Sequence, residues 1–245
     1  MSATAPILTL RGLSKRFRGL LAVSEIDLDL PTGSICSLIG PNGAGKSTLF
    51  NLITGYLPPS AGTIEFRGSR IDGMPTDRIS RMGIARAFQI SKPFPGLSVF
   101  DNVRVGALFG ADGPRDADAV VRDAITLTGL ETHAQAMASS LTVGFLRRLE
   151  LARAIATRPL LLLADEPFAG LNPSETTEIV EILRSMRLRG LTILLVEHDM
   201  RAVMEISDHI FVIEAGRKIA EGSPAAIASN ARVIAAYLGT DEDDT

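Results

Sequence analysis

Gly40-Pro41-Asn42-Gly43-Ala44-Gly45-Lys46-Ser47 follows the apolar run Ile35-Cys36-Ser37-Leu38-Ile39 and opens a helical pattern over Lys46 to Thr54. Strand, glycine-rich turn and helix in that order is the context the spacing G-x-x-x-x-G-K-[ST] requires. The glycines let backbone N–H groups turn inward around phosphate oxygens, and the helix N-terminus adds its partial positive charge. Lys46 is expected to neutralise the β/γ-phosphates, and Ser47 to ligate Mg²⁺. Thr48, the next residue, joins the expected nucleotide-binding set Gly40, Pro41, Asn42, Gly43, Ala44, Gly45, Lys46 and Ser47. Average glycine usage gives this spacing by accident in about one chain per hundred, and the strand and helix around it lower that further.

A phosphate loop alone says only nucleotide. Leu160-Leu161-Leu162-Leu163-Ala164-Asp165-Glu166 narrows it, because this apolar strand ends in two acids. Asp165 is placed to bind the Mg²⁺ shell, and Glu166 stands where a base polarises an attacking water.

Further out, strands alternate with helices. Ile7 to Phe17 and Val23 to Leu30 read as strands, the second by alternation of apolar and polar residues. Gly62 to Phe66 is another strand, Thr76 to Met82 a short helix with Thr76 as N-cap, and Ile84 to Phe88 a strand. From about Phe94 to Ala156 the pattern is helical and alanine-rich, with breaks expected at Gly106, Gly110 and Gly113-Pro114. Leu160 to Leu163 (strand), Ser174 to Arg189 (helix), Leu191 to Val196 (strand) and Asp199 to Ser207 (helix) follow. Ile210 to Ile213 and Lys218 to Ala220 form two strands around Ala215-Gly216. This order predicts an α/β fold with a mostly parallel sheet covered on both faces.

The 245 residues suit one such domain with an insert, and 46% hydrophobic residues supply its core. A net charge of −3 offers no general basic field for nucleic acid. Asp241-Glu242-Asp243-Asp244 reads as a solvated tail. Cys36 is the only cysteine, so no internal disulfide forms, and its apolar surroundings predict a buried thiol. The start, Met1 to Pro6, shows no secretory pattern, and no apolar run approaches the roughly 20 residues of a membrane span. A membrane role is therefore expected to pass through other chains.

Over nearly its whole length the sequence resembles the ATPase subunits of ABC transporters. The resemblance rests on an ordered series: Phe17, Gly40 to Ser47, Gln89, Asp165-Glu166-Pro167, Ala169-Gly170-Leu171-Asn172 and His198. It implies a P-loop core (1–93 and 157–245) with an antiparallel β subdomain, and a helical insert particular to the family (94–156). It implies ATP as nucleotide, Gln89 in the Q-loop on Mg²⁺ and water, and Glu166 as general base. The D-loop is then Ala169 to Asn172, His198 senses the γ-phosphate and Phe17 stacks on adenine. The usual signature L-S-G-G-Q reads here Leu141-Thr142-Val143-Gly144-Phe145. Thr142 keeps the hydroxyl that meets a γ-phosphate and Gly144 one close backbone approach, while Val143 and Phe145 depart from the pattern.

Gly83 to Gln89, Arg147 to Ala154, Ala169 to Pro173, Val196 to Met200 and Val233 to Gly239 are similar to the ATPase subunits of branched-chain amino-acid importers. Urea importers and lipopolysaccharide exporters share much of this pattern. The importer resemblance implies transmembrane permease subunits, a second ATPase cassette, a substrate-binding protein and a place on the cytoplasmic face of the cell membrane. Soluble ABC ATPases of ribosomes or DNA usually carry two cassettes or a coiled-coil insert, and this chain has one cassette without sustained heptads. A P-loop kinase would lack the signature helix and the histidine.

Overall fold

The computed structural model describes residues 5–89, 92–110 and 116–238. The acidic tail, the start of the chain, the Gly113-Pro114 break and Gly239 lie outside them. The chain divides into two compact units: one runs to Pro75 and resumes at Leu194, and the other is Thr76–Ile193.

The first unit opens with β1 (Pro6–Phe17) and β2 (Leu20–Pro31), a long antiparallel hairpin. Its register pairs Leu8 with Leu30, Leu10 with Leu28 and Leu13 with Ile26, all buried. The alternation read in the sequence is thus the inner and outer face of one ribbon. β3 (Ile35–Ile39) is buried at every position and leads into α1 (Lys46–Ile53). β4 (Ala61–Phe66) pairs with the other side of β1, and the two-residue β5 (Ser69–Arg70) extends it, giving the antiparallel sheet β2-β1-β4-β5.

The second unit begins with α2 (Thr76–Arg81), whose first residue is Thr76 rather than Thr76 capping from outside. β6 (Ile84–Ala87) follows, then α3 (Val99–Phe109), α4 (Ala117–Leu127), two single 3₁₀ turns (Glu131–His133 and Ala138–Ser140) and α5 (Val143–Ala156). These helices close on their own core, with Val99, Val103, Val121, Ile125, Leu149 and Ala152 buried at its centre. β7 (Leu161–Asp165) lies parallel to β6, and α6 (Pro173–Leu188) starts with a full capping box of Asn172 and Glu175. β8 (Thr192–Val196) carries the chain back to the first unit.

There α7 (Met200–Ile206) is capped by Asp199, and β9 (His209–Glu214) runs parallel to β3 with Cys36 opposite His209. β10 (Arg217–Gly222) returns antiparallel, and α8 (Pro224–Ala228) and α9 (Ala231–Leu238) finish the described chain. Cys36 is a buried thiol beside the Ser34 hydroxyl, 3.3 Å away.

The expected α/β order, parallel strand pairs, antiparallel sheet and helical segment are all present. Gly106 is the correction: it lies inside α3 and breaks nothing. A Cβ there would sit 2.4 Å from the Arg153 carbonyl of α5, so this glycine lets two helices touch backbone to backbone. Gly110 does end α3, as its C-cap.

Candidate functional site

In the first unit the loop between β3 and α1 is wedged against the β9–β10 hairpin. A Cβ on Gly40 would lie 2.0 Å from the Ile213 carbonyl, and one on Gly45 2.5 Å from the Ala22 carbonyl. Gly45 also holds φ at 104°, which a side chain disfavours. The Gly216 amide then donates to the Ala44 carbonyl at 3.0 Å. These contacts set the loop's curvature. Lys46 is 6% exposed, with Nζ donating to the Gly40 carbonyl at 2.6 Å and the Pro41 carbonyl at 3.0 Å. Its ammonium is thus folded over the loop. Asn42, Gly43 and Ser47 are exposed, Pro41, Gly45 and Thr48 half-buried, and Ala44 is buried.

Phe17 ends β1 and is 40% exposed, with the Lys15 ammonium 5.3 Å from its ring centroid. This is an accessible aromatic face rather than a core phenylalanine. His198 is exposed just beyond β8, and its backbone N–H donates to the buried Glu197 carboxylate at 2.9 Å. Tyr237 on α9 was not singled out from sequence. Burial pushes its phenol up, and a backbone hydrogen bond from Gly40 works the other way.

In the second unit the register of β6 on β7 pairs Ile84 with Leu161 and Ala87 with Ala164. Gln89 and Glu166 each lie two residues beyond that last pair, and the Gln89 Nε2 donates to the Glu166 carboxylate. Glu166 sits at φ 49°, a left-handed conformation rare for a side chain of its size and common at functional turns. Two expected residues from distant segments are therefore in direct contact.

Asp165 receives the Arg86 Nη2 at 2.5 Å, with the two side chains only 9% and 10% exposed. The sequence reading missed Arg86, although a lone charge inside Ile84-Ala85-Arg86-Ala87 was the available signal. Removing one partner of a buried pair strands the other's charge. Arg86→Met is expected to lower the unfolding free energy by about 3 kcal/mol in denaturant titration, and a loss below about 1 kcal/mol would contradict a buried, paired Asp165.

Thr142 is the N-cap of α5 and makes no side-chain capping bond. Val143 is the first residue of α5 and is 52% exposed. Gly144 is buried, and a Cβ there would lie 2.6 Å from the Glu175 carboxylate of the α6 capping box. Phe145 turns inward onto the helical core, its ring 4.0 Å from that of His133. The substitution of an aromatic for a polar residue in the signature is thus a packing choice of this helical segment.

Ser47 in the first unit, and Gln89 and Asp165 in the second, each carry a hard oxygen donor of the kind Mg²⁺ takes. Among the described residues no group of His, Cys, Asp or Glu is placed to hold a metal unaided.

A sequence model described as "ABC transporter" matches residues 23–169, and one described as "Branched-chain amino acid ATP-binding cassette transporter" matches residues 217–243. The chain is 44% identical to the high-affinity branched-chain amino acid transport ATP-binding protein LivG of Escherichia coli (strain K12), over 96% of this chain and 98% of that one. It is 40% identical to the corresponding protein BraF of Pseudomonas aeruginosa, with the same coverage. Among solved structures it is similar to the ADP conformation of MJ1267, an ATP-binding cassette of an ABC transporter. The TM-score is 0.88 at 27% identity, covering 97% of this chain and all of that one.

Proposed function

From the premise that this chain belongs to the ABC transporter family of ATP-binding cassettes, we propose that it drives import of branched-chain or related amino acids by hydrolysing ATP. The observation that carries the hydrolytic part is the Gln89 side chain on the Glu166 carboxylate, beside Asp165, at the ends of adjacent parallel strands. The cargo assignment is supported by the names of the relatives and by the match at residues 217–243.

In this reading backbone N–H groups of residues 42–48 cradle the phosphates and Lys46 neutralises them. Phe17 stacks on adenine. Glu166 accepts the proton of the attacking water, and Gln89 holds that carboxylate turned toward it. His198 senses the γ-phosphate. Mg²⁺, held by Ser47, Gln89 and Asp165, would supply charge neutralisation to the phosphate oxygens. Thr142 and Gly144 meet the nucleotide of a second cassette, alike or related, so two chains complete each other's sites.

The partners follow from the same reading. Among the described residues no helix is long and apolar enough to cross a membrane. The likeness to importer ATP-binding subunits supports transmembrane permease subunits that carry the path, a substrate-binding protein that delivers the cargo, and a place for this chain at the cytoplasmic face. Deleting the chain from its host is expected to abolish high-affinity uptake of labelled leucine, isoleucine or valine. Wild-type protein restores it and Glu166→Gln does not. Unchanged uptake of all three, with loss of another solute or of lipopolysaccharide export, would overturn the cargo assignment.

A further inference from the structure

α5 carries Arg147, Glu150 and Arg153 at intervals of three, a spacing that aligns side chains along one helix face. Such a row is usually solvated. Here each member ends on the main chain of Phe88, Gln89 or Lys92. Arg147 donates through Nη1 to the Gln89 carbonyl. The Phe88 amide faces the Glu150 carboxylate at 3.5 Å, and Arg153 donates to the Lys92 carbonyl at 3.2 Å. Arg153 also holds Glu150 at 2.9 Å. Burial pushes the Glu150 carboxyl up, against the pull of Arg153.

Arg147 reaches a second segment as well. Its Nη2 donates to the Ala169 carbonyl at 3.1 Å, with Nε at 3.4 Å. Ala169 is tied back to the Glu166 carbonyl through its own amide at 3.2 Å. One guanidinium therefore holds the main chain on both sides of the Gln89–Glu166 contact.

We infer that Arg147 is a positioning residue for hydrolysis, fixing the Gln89 and Ala169 carbonyls to the signature helix so that the Gln89 amide stays on the Glu166 carboxylate. The inference rests on Glu166 being the general base. The planar fork of arginine serves two carbonyls at once, whereas a lysine ammonium is a point charge on a flexible stem. Arg147 thereby makes the alignment of the base sensitive to the position of α5.

The test uses the purified full-length chain, with steady-state hydrolysis and titration of a fluorescent ATP analogue. Arg147→Ala is expected to lower kcat about 10- to 100-fold, the scale of a misplaced catalytic group, with KM and analogue affinity within about twofold. Arg147→Lys keeps charge and stem, so it should fold as wild type, with a smaller kcat loss. Combining Arg147→Ala with Gln89→Ala should cost no more than Gln89→Ala alone, because both act through one contact. Losses that multiply, analogue affinity that falls in step with kcat, or wild-type turnover in Arg147→Lys would overturn the inference. Full turnover in Glu166→Gln would instead remove the general-base reading beneath it.

Discussion

Glu166→Gln is expected to lower phosphate release from ATP by about 10³-fold while nucleotide affinity stays near wild type, as when a general base is lost. The substitution is close to isosteric. It keeps an oxygen to accept the Gln89 amide, so the Gln89 contact survives and only basicity is lost. The left-handed turn at Glu166 exists with either side chain, since its φ of 49° is set by the step from β7 into the following loop. No folding defect is therefore anticipated. Turnover within a few-fold of wild type would remove Glu166 from the catalytic role, whatever becomes of the rest of the site.

The second large effect is at Lys46. Lys46→Ala should weaken ATP binding about 100-fold and depress turnover as well, since charge-assisted contacts of about 1.5–3 kcal/mol disappear. Its ammonium is already buried over the loop on the Gly40 and Pro41 carbonyls. Those carbonyls lose their donor together with the phosphates, so ground-state affinity and hydrolysis fall in the same variant. The contrast with Glu166→Gln is the informative part: one variant separates binding from chemistry and the other does not. A Lys46→Ala protein that binds ATP as wild type would contradict the phosphate role. Equilibrium titration of a fluorescent ATP analogue on both variants reads this directly.

The strand, glycine turn and helix of residues 35–53 were fully legible because their signals are local. A strand, a turn that needs glycine and a helix start occur within about fifteen residues, and each leaves a composition signal. Gln89 and Glu166 entered the expected site singly, through family resemblance, and their contact could not be read that way. It depends on the register of β6 beside β7, whose sequences are dozens of residues apart. Gly106 was misread for a related reason. A glycine within a helical pattern signals either a break or a close helix pair, and only the packing of α5 on α3 decides.

Arginines outside the motifs were the least legible. Nothing local distinguishes Arg147, bound to two carbonyls, from a solvated arginine on a helix face. Arg86 left a trace only because it interrupts an apolar strand. The short helix α8 does have a local start signal, Ser223 as N-cap before Pro224. The roles of Phe17, Thr142 and His198 rest on resemblance, and an accessible ring, an uncommitted capping hydroxyl and an exposed imidazole are the local features that suit them.

The most direct test of a hydrolysing subunit that works on membrane partners is one measurement. Phosphate release is followed on the complex recovered from gently solubilised host membranes with this chain tagged, and its chains are identified by mass spectrometry. The account predicts Mg²⁺-dependent release of phosphate to water, lost with Glu166→Gln, from an assembly holding two multi-span permeases and a second cassette. Hydrolysis that survives Glu166→Gln, or an assembly made only of soluble chains, would contradict it.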